Sequence, residues 1–505
     1  TRRSSDLGIS GITSQQIATL NSAQLLALTS TQLKTLSGDQ IVALTTQQFA
    51  TLATSTISAL EAPQVSAIEA QDFATLNSTQ IRALTTDSVT GINSRQLGAL
   101  NSSQLLSFRT SQIKALTPNQ VLALSTDQIA TLTSTSFGAL TSVQISTLTT
   151  EDISVLSTAQ VAAINADAIQ GLRSLQIAVF NTAQIQSLSA VHAKSFNSSG
   201  ISALTTDQVS SLSSSLLGAF NSDQIAIFKA RDFAVFSTTQ IVALNTGSIS
   251  TLNSLQLRAL NTLQLSSLST GQIKALSSNS IIALTTDQIA GLSTTTLKAL
   301  TSVQVAAMET TDLAQLNAEQ IGALSTGGIL GLKPSQLMSF NPLQVGALTE
   351  AHIATLSSNQ ILALSTTAVT LLSTTQIQAI STGNAAALNS GQLGALNPSQ
   401  LSALSPAQAK ALTTAQIASL STTQWSSLSS SQLAALNSAQ IRALSTNQIA
   451  ATTSSEIAFL TSSGIRGFSD QQLRAISTIA IQSLTTSQFT ALSSVQVAAL
   501  TTEQA

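Results

Sequence analysis

The side chains that could carry chemistry are few: two His, 21 Asp and Glu, and 19 Lys and Arg in 505 residues, with no Cys. His192 and His352 stand 160 residues apart, each in the place where neighbouring sequence has Gln. A zinc site or an acid–base centre would need further ligands or partners at each. None is in view, and both are read as stand-ins for Gln. Asp72, Asp152, Asp232 and Asp312 recur at 80-residue intervals. Calcium would require a Gly-containing acidic loop around them, which is absent. Ser and Thr are abundant, yet no nucleophile–base–acid set and no Gly-rich phosphate loop is found. The expectation is a protein that is not an enzyme and holds no cofactor.

Arg109, Arg173, Lys229 and Lys333 are the cations in unexpected places, because each occupies a position that elsewhere carries Ser, Thr or Asn. With Asp72, Asp152, Asp232 and Asp312 they are the candidates for contact with a neighbouring chain, solvated surface being the plainer alternative for the cations. Trp425 and the group Phe220, Phe228, Phe233 and Phe236 read as core, not as a ligand platform or cofactor box.

What must position these residues is an eight-residue phrase. In LTPNQVLA (116–123), followed by LSTDQIAT (124–131), Leu116 is position 1, Thr117 position 2, Pro118 position 3, Gln120 position 5, Val121 position 6 and Ala123 position 8. By count, position 1 recurs 62 times from Ile12 to Leu500 without insertion or deletion, and is Leu, Ile, Phe or Met except at Thr452. Position 6 is always apolar. The two lie five and three residues apart, on opposite faces of any strand. A single continuous helix fails as well, since eight residues advance about 800° and the apolar stripe would drift.

A short helix restarted in every octad fits. Position 2 is Ser, Thr or Asn in 54 of 62 octads, the preferred N-cap residues. Gln three residues later completes a capping box, and positions 1 and 6 form a hydrophobic staple. Five of the six prolines fall at position 3, the first helical residue. All 21 acids lie in positions 2 to 5 and 12 of the 19 Lys and Arg at position 7, matching the helix dipole. So short a helix is unstable alone, so the octads must stack on one another. The predicted fold is all-α: a solenoid or superhelix of very short capped helices around an apolar axis.

The domain organisation expected is an N-terminal segment over residues 1–11 and a continuous octapeptide-repeat solenoid over 12–505. Within it the 80-residue higher-order repeat is clearest at about 56–330. That interval is explained either by duplication of a cassette or by ten octads completing a whole number of superhelical turns. Charged residues are 8% of the chain and the net charge is −2, which gives no footprint for nucleic acid. A polar pair or triplet interrupts every octad, so no helix spanning a membrane is expected.

The strings LTTAQIASLSTTQ (412–424) and LSTDQIATL (124–132) resemble the short Leu–Ser/Thr–Gln–Ile repeats of large bacterial surface and secreted proteins, often labelled haem-utilisation or adhesion proteins. The resemblance implies an extracellular or cell-surface setting. It carries no haem site here, because His192 and His352 are the only imidazoles. The function expected is structural: an extracellular bacterial fibre or filament assembled from copies of itself. Neither end of the sequence reads as a capped solenoid, which suits end-to-end stacking or an excerpt of a longer chain. The alternative is a surface adhesin whose Ser/Thr/Asn/Gln-rich exterior contacts glycan, ice or an abiotic surface.

Overall fold

The computed structural model describes residue 9 and residues 11–504. Most of the segment expected over residues 1–11 lies outside the described residues. The described chain is all helix and connection, without a strand. It carries 61 helices of four to six residues, from Ser14–Ala18 to Ser494–Ala498, at eight-residue spacing.

Each octad is built as its residue types dictate. In the helix Pro118–Leu122, the N-cap Thr117 is extended (φ −70°, ψ 156°), its side chain accepts from the Gln120 N–H, and the Gln120 side chain answers at the cap backbone. Pro118 takes the first helical position, where no intrahelical N–H is needed. Position 1 is also extended, as at Leu52 (φ −60°, ψ 137°). Two extended residues therefore turn each corner. Among the described residues no φ is positive, so the sharp bend needs no left-handed glycine.

Positions 1 and 6 face inward. Leu116 is 4% exposed and Val121 1%. The aromatic segment packs edge to face inside the core: Phe196 on Phe220 at 5.9 Å and Phe233 on Phe236 at 5.3 Å between ring centroids. Two compact units divide the chain, Thr1–Ala259 and Leu260–Ala505. In each, a helix packs on the helices three before and three after it. Pro118–Leu122 meets Ser142–Thr147 in the first unit, and Ser302–Ala307 meets Thr326–Gly331 in the second.

Hydrogen bonds between neighbouring turns show that a turn takes slightly more than three octads. Arg109 reaches a residue 25 back, Asn93 one 27 back and Gln120 ones 28 and 31 back. The separation that recurs most along both units is 28 residues, as from Gln120 to Ile92 O and from Gln432 to Leu404 O.

Candidate functional site

The polar chemistry of the chain is concentrated between turns, where position 5 is buried beside the core. Gln120 shows the pattern. Its Oε1 accepts from the Thr117 N–H at 2.6 Å, and its Nε2 donates to Ile92 O at 2.6 Å and Val89 O at 2.8 Å. The same amide closes the helix start in its own octad and ties off the helix end in the preceding turn. Helix ends leave carbonyls unsatisfied, and a buried one costs about as much as a lost hydrogen bond. Position 5 meets that need. The same bonds recur in the second unit, where Gln432 donates to Leu401 O and Leu404 O.

The capping box was legible in sequence; the donation to the preceding turn was not. A signal for it exists. A capping box accepts Glu as readily as Gln, yet Glu occupies position 5 only at Glu456. An amide can both accept at the cap and donate to the turn beneath, whereas a carboxylate can only accept.

His192 and His352 do what Gln does. His192 Nδ1 accepts from the Ser189 N–H at 2.9 Å while Nε2 lies 2.9 Å from Ile164 O, 28 residues back. His352 makes the same pair of bonds with the Thr349 N–H and Leu324 O. Both bonds together are satisfied by the neutral Nε2–H tautomer. Burial lowers the His352 imidazole from its ordinary value, opposed by the bond to Leu324. Asn384 reaches the equivalent carbonyl, Leu356 O, at 2.6 Å.

The aspartates cannot donate, and they are accommodated differently. Asp152 Oδ2 accepts from the Thr149 N–H and Oδ1 from Thr126 Oγ1 at 2.8 Å, 26 residues back. Asp312 takes Thr286 Oγ1 at 2.8 Å in the same way. Thr46 hydrogen-bonds the Asp72 carboxyl, so a position-3 Thr again accompanies the acid. All four are buried, at 3 to 5% exposure. Asp72 Oδ1 and Asp232 Oδ1 have no hydrogen-bond partner. Burial pushes the Asp72 carboxyl above the usual carboxylate range, the Thr46 bond opposes it, and Glu69 adds to the rise.

The four cations lie on the outside of the turns. Three of them also reach the neighbouring turn of their own chain. Arg109 donates to Leu84 O at 3.0 Å, Arg173 to Leu148 O at 3.1 Å and Lys229 to Ser202 O at 3.1 Å. Lys333 is exposed. A long side chain at the N-cap position points back along the solenoid, which places its head over the preceding corner.

Ser88 replaces the Gln amide by a shorter route. Its Oγ donates to Leu60 O at 2.6 Å, again 28 residues back. So short a reach requires the turns to close up, and three residues on stands Gly91. A Cβ there would lie 2.0 Å from Ala62 O. The pairing recurs 80 residues later as Ala168 with Gly171, whose Cβ would lie 2.0 Å from Ser142 O.

No three His, Asp or Glu side chains gather as a metal-holding group among the described residues. No described helix is long and apolar enough to cross a membrane. The arrangement defines a class: an α-solenoid of capped octads laced turn to turn by buried amides. Compared with known families, the chain carries ALTTAQ repeats, matched over residues 65–102, 89–126, 99–134, 249–286, 258–294, 385–422, 426–462 and 465–502. None of the curated proteins matches it.

Proposed function

We propose that the chain is structural, the repeat body of an extracellular or cell-surface bacterial fibre built from copies of itself. The observation that carries this reading is where the polar chemistry is spent. Gln120 and Gln432, like most of the position-5 amides, are buried in holding one turn to the next. A repeat whose specific bonds all serve its own propagation suits a body selected for length. The ALTTAQ repeats support a structural or surface role. Electron microscopy and mass measurement of the native material test it: filaments or large homotypic assemblies are expected, and a discrete soluble monomer would count against them.

A second reading, surface adhesion, is favoured by the outward side chains. Pairs such as Ser102 and Ser103, or Thr238 and Thr239, are exposed at positions 3 and 4. They offer hydroxyls to glycans, ice or an abiotic surface. Replacing such pairs by Ala is expected to abolish binding while leaving helix content unchanged. Binding that survives would remove the reading.

A further inference from the structure

Within the second unit, one open cleft of about 820 Å³ is lined by residues of three consecutive turns, among them Arg442, Arg466, Ser469, Asp470, Thr490 and Ser493. Arg442, Arg466 and Thr490 occupy position 7 in octads three apart. A cation at position 7 has an ordinary reason, the negative end of the helix dipole. That accounts for each arginine separately; it does not account for two lining one cleft. Both are exposed, and neither enters the two described ion pairs, Lys34–Glu61 and Arg231–Asp232.

We propose that this cleft binds a carboxylate-bearing sugar of an acidic glycan. Two guanidinium groups against the one carboxylate of Asp470 leave a single excess positive charge, which suits a monoanion better than a phosphate dianion. Guanidinium planes match a carboxylate with paired, charge-assisted bonds. Asp470 and the hydroxyls of Ser469, Thr490 and Ser493 are the acceptors and donors that sugar hydroxyls need. This inference rests on the adhesive reading and gives it a ligand class.

The test is calorimetric titration of the full chain with a galacturonate oligosaccharide and with the same oligosaccharide after reduction of its carboxyls. The acidic form is expected to bind, more weakly as salt is raised. R442Q/R466Q is expected to weaken it on the order of tenfold or more. K274Q/K298Q, which removes another position-7 pair of this unit 24 residues apart, is expected to leave binding unchanged. If R442Q/R466Q alters helix content, R442K/R466K keeps charge but loses the planar fork, and weaker binding by it supports the proposal. Equal binding of the reduced oligosaccharide, indifference to both arginine variants, or equal competition by inorganic sulfate overturns it. Binding of the neutral oligosaccharide that depends on exposed Ser and Thr pairs would overturn only the anionic ligand and leave the adhesive reading standing.

Discussion

The indole N–H of Trp425 donates to Thr452 Oγ1 at 2.9 Å, within the core and across 27 residues of sequence. These are the sole Trp of the chain and the sole polar residue at position 1 of its octads. A buried indole N–H needs an acceptor, and an aliphatic side chain at 452 could not supply one. Thr452 in turn donates to Gln448 O at 2.9 Å. Two apparent irregularities of the repeat are thus one structural unit. Glu456, half-buried where Gln is mostly buried, belongs to the same octad.

Restoring the repeat at one member alone should therefore destabilise it. Thr452→Leu leaves the Trp425 N–H buried and unpaired, at a cost of about 1–3 kcal/mol. Adding Trp425→Phe removes the orphaned donor and should return most of that loss, less the cavity left by the smaller ring. Chemical denaturation of both single variants and the double variant measures the coupling. Additive losses would show that the bond contributes nothing specific.

Gln120→Glu tests the lacing amide. The carboxylate keeps the cap but loses both donations, and sets its charge against Ile92 O and Val89 O. The expected cost is roughly 2–4 kcal/mol, seen as faster amide hydrogen exchange in the two turns that it joins. Acidification should recover part of it, because a protonated carboxyl has one O–H to donate. Unchanged protection at neutral pH would mean that the inter-turn bonds are dispensable.

Two glycines separate close approach from ordinary helix weakness. At Gly91 an added Cβ meets the backbone of Ala62 at 2.0 to 2.7 Å, whereas at Gly98 nothing lies within 4 Å. Gly91→Ala must push two backbones apart and should destabilise by about 1–3 kcal/mol. Gly98→Ala, in the helix Ser94–Ala99, should stabilise by roughly 0.5–1 kcal/mol through reduced chain entropy. Thermal midpoints of the two variants should move in opposite directions.

Much of this architecture was legible in the sequence for a physical reason: capping, stapling and dipole preferences act within eight residues. Thr117, Pro118, Gln120 and Val121 each declare a place in the helix without help from elsewhere. What joins residues 25 to 31 apart left only indirect marks. Gln in preference to Glu, the Thr126 that accompanies Asp152, and the Gly91 that accompanies Ser88 are such marks. Each makes sense only once the length of a turn is known. The Arg442–Arg466 cleft had no local mark at all, because each arginine alone is what a helix end prefers.

The histidines offer a pH test whose sign follows from their bonds. His352 is held below the ordinary imidazole value of 6.5, chiefly by burial. The unfolded chain therefore takes up a proton at higher pH than the folded one. Stability from this site is complete above about pH 6.5 and is lost as pH falls through that value toward the lower folded one. A proton on Nδ1 would also face the Thr349 N–H, donor against donor. His352→Gln installs the residue that this position usually carries and has nothing to titrate, so it should remove the pH dependence while keeping both bonds. Protection factors of amides in the helix Glu350–Thr355, compared between pH 7.5 and 5.0, decide the matter. An equal loss of protection in the wild type and the variant would show that His352 is not its source.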